Sequence, residues 1–268
     1  MSYNEKERST RDLIDRGVKR SSIGTPGIAT FVGLRAADPF LQYQILRNDW
    51  GSSLIQRLGG TTLPRGSPLV TNTPLDNVLG LSPYRTIMLG MTIGSMVKQN
   101  LTMLAISREE MTVPASAAIG AYNTLLNSAN NLLFVCSQTS ASVNGEHFPQ
   151  TPLIVGATLY VLGMSLELGS EVQRALWKRD PANKGKVYEG GLFGLSRHIN
   201  YFGYTLWRGG YALAAGGWLW GAANMAWFSF DFINRGIPVL QGYMEEKYGE
   251  QYEHYEQAVP YKFVPLLY

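Results

Sequence analysis

Residues 201–233 read YFGYTLWRGGYALAAGGWLWGAANMAWFSFDFI, a run in which Arg208 and Asp231 are the charged positions. It has no proline and no polar repeat. A run this apolar is expected to be helical and to face hydrocarbon, where about 20 residues make one crossing. It is too long for one crossing and short for two. Gly216 and Gly217 stand where a hinge would fold it into a hairpin, giving helices at about 201–216 and 218–233. Trp218, Trp220, Trp227 and Phe228 are residue types that collect at a membrane–water interface.

Three further candidates lie upstream, at about 86–107, 113–136 and 152–173. Lys98 falls in the middle of the first, where a charge must face a protein interior or an aqueous cavity. Asn123, Asn127, Asn130 and Asn131 form a polar stripe on the second, suited to gluing helices in lipid or to lining a pocket. The expected fold is therefore all-α, a polytopic membrane bundle of about five helices with a cytosolic C-terminal tail. Residues 86–268 form this domain, 27–85 an interfacial or irregular segment without a spanning helix, and 1–26 a disordered polar arm. The alternative is a soluble protein with buried apolar helices; helix lengths and tryptophan placement favour the membrane.

The 174–200 loop carries Arg174, Lys178, Arg179, Lys184, Lys186 and Arg197, which places it in the cytosol by the positive-inside tendency. Three crossings before that loop would put the N-terminal arm on the opposite side. The arm is itself rich in Lys and Arg, so either residues 27–80 hold another crossing or one span is wrong.

Composition narrows the function classes. The 268 residues include one cysteine, Cys136, which excludes an internal disulfide framework and a cysteine metal cluster. A net charge of +3, with no basic run interleaved with aromatics, does not suit nucleic acid. The mean hydropathy of −0.07 averages polar ends with an apolar middle. No secretory signal pattern opens the chain. His147, His198 and His254 lack metal-ligand spacing, and the glycines at 190, 191 and 194 do not make a Rossmann fingerprint.

The segment 167–210, ELGSEVQRALWKRDPANKGKVYEGGLFGLSRHINYFGYTLWRGG, carries a second kind of information. Its Gln173-Arg174 pair, the loop Pro181, Asn183, Lys184, Gly185, Lys186, then Gly191-Leu192-Phe193 and Ser196-Arg197-His198 through Asn200-Tyr201-Phe202-Gly203 occur in that order. The tail adds Glu245, Glu246, Tyr248, Gly249, Tyr252, Tyr255, Val259, Pro260, Tyr261 and Pro265. Residues 167–268 thus resemble the C-terminal domain of the steroid 5-alpha-reductase superfamily, in its broad microbial and fungal branch, which is related to sterol reductases and isoprenylcysteine carboxyl methyltransferases. The chain departs from that pattern with Ile199 in place of Pro, Tyr204 in place of Glu, and Arg208 in place of an aromatic.

The resemblance implies a membrane enzyme, multi-pass and of the endoplasmic reticulum, acting on a lipid or steroid-like substrate. The first reading is an NADPH-dependent reductase of a lipid double bond, with a proton supplied by Tyr204, Tyr160 or Tyr122. The second is an S-adenosylmethionine-dependent methyltransferase of the isoprenylcysteine type. The third is a repurposed isomerase or a non-catalytic scaffold, motivated by the departures at Ile199 and Tyr204. The cofactor would contact Glu167, Glu171, Arg174, Lys178, Arg197, His198, Asn200, Tyr201, Arg208, Glu245, Glu246 and Tyr252. Helical spacing puts Glu167 with Glu171, and Asn200 with Tyr204 and Arg208, on single faces. Tyr248, Tyr252 and Tyr255 also share helical spacing, which fits packing as well as chemistry.

Overall fold

A computed structural model describes residues 19–64, 74–143 and 148–268; most of the arm expected over 1–26, and His147, lie outside them. The described residues are helical, with two isolated β-bridges and no strand. The long helices are α1 (Pro26–Asn48), then, after the short α2 (Ser52–Arg57) and α3 (Pro74–Leu79), α4 (Pro83–Leu101), α5 (Val113–Val135), α6 (Thr151–Trp177) and α7 (Ile199–Asp231). Two short helices, α8 (Ile237–Tyr248) and α9 (Glu250–Ala258), close the chain.

Proline within the first two positions opens α1, α4, α5 and α6, where its missing N–H costs no intrahelical bond and its fixed φ suits the helix. Ser82 and Thr112 cap α4 and α5 by accepting from the N–H of Arg85 and Ala115. Gly217, at φ 77° and ψ −168°, interrupts α7 and turns it into the hairpin that the sequence suggested.

Helix α1 departs from the sequence expectation. The segment read as interfacial or irregular contains a 23-residue helix. Arg35 and Asp38, which argued against a helix in hydrocarbon, lie on its inner face and are fully buried as an ion pair at 3.1 Å. Charge that interrupts an apolar run in sequence thus sits on one face of the helix in space.

The closest packing is between α6 and α7. A Cβ on Gly156 would lie 2.6 Å from the carbonyl oxygen of Gly210, and one on Gly203 2.7 Å from that of Gly163. Glycines seven apart on each helix therefore let two backbones meet directly, as helices do where apolar burial cannot drive association. Around them lies a core that includes Leu46, Met88, Phe134, Trp207 and Tyr211.

The chain alternates between two ends. At one end Arg20 donates its backbone N–H to Arg108 O, and the 178–198 loop and α8–α9 follow the α6 and α7 ends. At the other, Leu63 N bonds Val135 O and Ala141 N bonds Ala215 O. Large apolar side chains face outward along the helices: Leu125 is 68% exposed, Val161 63%, Leu219 85% and Phe230 65%. Among the described residues one helix, α6, is long and apolar enough to cross a membrane, with mean hydropathy 1.5 over its most apolar stretch.

Gly163→Leu is expected to destabilise the protein by about 3 kcal/mol or more, because the helix backbones have no room to part. Gly90→Ala, on an open face of α4, should be neutral or stabilising by up to about 1 kcal/mol. Thermal unfolding of the two variants in the same detergent checks the contrast.

Candidate active site

Two polar assemblies are built on α6 and α7. The first lies at the start of α7. The Ser196-Arg197-His198 turn is tied to the tail by backbone bonds from Arg197 N to Tyr261 O and from His198 N to Lys262 O, and by Ser196 Oγ donating to Phe263 O. Arg197 pairs with Glu256 at 3.1 Å through one terminal nitrogen, and the other reaches the carbonyls of Glu256 and Val259. Asn200 donates to Glu171 Oε1 at 2.9 Å, and the other oxygen of Glu171 holds Arg174. His198 stacks on Tyr201, which stacks on Phe232.

Several buried atoms of this assembly have no partner among the described residues: both ring nitrogens of His198, Arg197 Nε, Asn200 Oδ1 and the Tyr252 hydroxyl. Such groups are costly to bury unmatched, and they belong to one turn and the helix packed against it. Burial, and then the charges of Arg197 and Lys262, push the His198 pKa down to about 3, so the ring is neutral at physiological pH. Burial raises Tyr252 to about 12, so it keeps its proton and can donate. Next to this assembly a cleft of about 330 Å³ is lined by Gln241, Glu245, Lys262 and Tyr268 with Ile233 and Ile237.

The second assembly is a polar core midway along the helices. Arg208 donates to Asn127 Oδ1 at 3.0 Å, to Asn123 Oδ1 and to the Tyr204 hydroxyl at 3.1 Å. Asn127 in turn donates to Asp38, Gln99 to Asn123, and Arg35 to Gln99 Oε1 at 2.6 Å. Gln42, Asn131, Tyr211 and Thr92 extend the chain. Beside it, Glu167 pairs with Lys98 through one oxygen and accepts from Trp207 Nε1 at 2.6 Å through the other.

The candidates from the sequence divide between these assemblies. Glu171, Arg174, Arg197, His198, Asn200, Tyr201 and Tyr252 lie in the first; Tyr204, Arg208 and Glu167 lie in the second. Lys178 reaches Lys186 O and the Tyr248 hydroxyl. Glu245 lines the cleft, and both it and its neighbour Glu246 are exposed on α8. Tyr160 donates to Met91 O and packs on Trp207 and Tyr211 in the core. Tyr122 is 42% exposed and accepts from Trp227. The asparagine stripe of α5 joins α1 to α7. Sequence reasoning missed Arg35, Asp38, Gln42, Gln99 and Glu256. The i, i+3, i+7 spacing of the first three was the signal available for a polar face on α1.

The family described as a protein of unknown function (DUF1295) matches residues 126–259, which take in the second half of α5, all of α6 to α9, and the α6 and α7 residues of both polar assemblies. A protein named "Probable O-methyltransferase ustE" from Ustilaginoidea virens is 37% identical, over 90% of this chain and 85% of that protein. A protein named "Delta(14)-sterol reductase ERG24B" from Gibberella zeae is 26% identical, over 44% of this chain and 34% of that protein. The segment that resembled the steroid 5-alpha-reductase superfamily falls largely within the matched region, and the chain belongs to the DUF1295 family, a steroid 5-alpha-reductase-like group.

Proposed function

We propose that the protein is a multi-pass membrane methyltransferase that uses S-adenosylmethionine to methylate an oxygen of a lipophilic acceptor. The observation that carries this reading is the state of the four cations assigned to the cofactor. Arg174 is held by Glu171, Lys178 by Lys186 O and Tyr248, Arg197 by Glu256, and Arg208 by Asn123, Asn127 and Tyr204. A dinucleotide phosphate calls for a guanidinium fork free to take two oxygens. The open atoms are instead the uncharged His198, Asn200 and Tyr252 groups and the single Arg197 Nε. Such a set fits the amino-acid and adenosine ends of S-adenosylmethionine, which supplies an electrophilic methyl group. The similarity to a protein named as an O-methyltransferase, which extends over nine-tenths of the chain, supports the same choice.

NADPH-dependent reduction is the second reading, favoured by the similarity to a protein named as a sterol reductase. The replacement of the family's Glu by Tyr204 and the occupied cations weigh against it.

Membrane placement rests on the inverted distribution of polarity. Arg35, Asp38, Thr92, Ser95, Asn127 and Arg208 are buried, while leucines, valines and tryptophans cover the outside. Charge and amide groups satisfied inside, with apolar groups outside, is the arrangement that a hydrocarbon solvent demands. Taking α1 as a crossing gives four before the 178–198 loop. Lys19 and Arg20 then lie on the same side as that loop and the tail, which removes the parity conflict of the five-helix scheme.

Two outcomes follow. In sealed vesicles with the cytosolic face outward, a membrane-impermeant maleimide should leave Cys136 unlabelled until detergent is added, whereas Lys184→Cys in a Cys136→Ser background should label at once. Labelling of intact Cys136 would reverse the topology. In calorimetric titration, the purified protein should bind S-adenosylhomocysteine, and Arg197→Ala should weaken this at least about tenfold, about 1.4 kcal/mol, by releasing the tail. Binding of NADPH but not of S-adenosylhomocysteine would replace the methyltransferase reading with the reductase.

A further inference from the structure

The five charges that meet in the polar core do not cancel. Arg35, Lys98 and Arg208 are cationic, and Asp38 and Glu167 are their carboxylates. Asp38 pairs with Arg35 and Glu167 with Lys98, so Arg208 meets amide oxygens and a hydroxyl but no carboxylate among the described residues. Arg208 is 1% exposed. A buried cation without a counter-charge is costly in any protein and more so in a bilayer. Dipoles of Asn123, Asn127 and Tyr204 lower that cost without removing the charge.

Among Arg208 and the three groups it bonds, Tyr204 is the one that remains partly exposed. Its oxygen accepts from Arg208 Nε, and no described acceptor takes its own proton. The ring is fixed edge-on against Trp207, Phe228 and Phe232. A phenolic hydroxyl polarised by a guanidinium from behind is a strengthened donor. It offers one proton at one point.

On the methyltransferase reading, on which this inference rests, we infer that Tyr204 and Arg208 form an oxyanion site for the methyl acceptor, and that the acceptor is an acidic hydroxyl, a phenol or enol, bound as its anion. The excess positive charge of the core favours the ionised form. A single donor matches a single charged oxygen; a carboxylate would leave its second oxygen without a partner, and a neutral aliphatic alcohol would leave Arg208 uncompensated. The acceptor loses its proton to bulk water before it binds. Its oxygen lone pair then forms the O–CH3 bond as the S–CH3 bond breaks, and the electron pair of that bond leaves with sulfur. An anion and a sulfonium become a neutral ether and a neutral thioether, so the transfer step needs no protein base. Charge neutralisation of this kind is favoured where water is excluded.

The test uses 4-nitrophenol, whose phenolate absorbs visibly, with full-length protein in lipid nanodiscs, no S-adenosylmethionine present, and empty nanodiscs as the partition control. Bound 4-nitrophenol should ionise at a pH at least about one unit lower than in empty nanodiscs. It should bind at least about tenfold more tightly than 4-nitroanisole, which cannot ionise, and more tightly than 4-nitrobenzoate. Arg208→Gln should abolish the shift. If that variant does not fold, Tyr204→Phe, which keeps the ring and removes one hydroxyl, should still weaken phenolate binding about tenfold. Equal binding of the anisole, or an unchanged affinity in Tyr204→Phe, would overturn the oxyanion site; tighter binding of the benzoate would overturn the single-oxygen acceptor. S-adenosylhomocysteine titrated into the same nanodiscs separates the two levels. Its binding without a phenolate preference sinks this inference alone, and its failure to bind beside a clear phenolate preference sinks the methyltransferase reading.

Discussion

The Arg208 guanidinium is the group around which the rest of the molecule must be arranged. An ion of that size buried without water needs several oriented dipoles, and they have to come from different helices to surround it. Asn123 and Asn127 supply them from α5 and Tyr204 from one turn earlier on α7. Those asparagines are fixed in turn by Gln99 of α4 and Asp38 of α1, so one buried charge sets the mutual register of four helices. Apolar packing alone would not, because in a hydrocarbon solvent it distinguishes poorly between one helix register and another.

Backbone geometry brings this polar core beside the site at the start of α7. The glycine contacts between α6 and α7 hold Glu167 and Glu171, one turn apart on α6, against Trp207 and Asn200 on α7. On the methyltransferase reading proposed above, Glu167 lies on the acceptor side and Glu171 on the cofactor side. A single helix face thus links the two places where a methyl donor and a methyl acceptor would meet. The tail is held against the start of α7 by Arg197, which pairs with Glu256 and bonds the carbonyls of Val259 and Tyr261.

Much of the helical layout was legible in the sequence. The apolar runs and the Gly216-Gly217 break describe α4 to α7 because each depends on local composition. Helix α1 was not legible by the same rule. Arg35, Asp38 and Gln42 lower its average hydropathy, and their partners on α4 and α5 lie 64 to 89 residues away. The Asn123 and Asn127 stripe was visible as a stripe, but its target was not. The candidate site showed the same division. Motif order marked Arg197, His198, Asn200 and Tyr201, whereas the capture of Arg197 by Glu256 depends on where the tail folds back. Tyr160 carried the right chemistry on paper, yet its hydroxyl is spent on the Met91 carbonyl.

On the methyltransferase reading, the open polar atoms at the start of α7 contact a cofactor that carries a methyl group rather than a hydride. An experimental structure of the protein in lipid, prepared with S-adenosylhomocysteine and NADP together at equal concentration, addresses it most directly. Density for S-adenosylhomocysteine is expected against His198, Asn200 and Tyr252, with Arg197 still paired to Glu256. Density for a dinucleotide there, with Arg197 released from Glu256 and turned onto its phosphates, would contradict it.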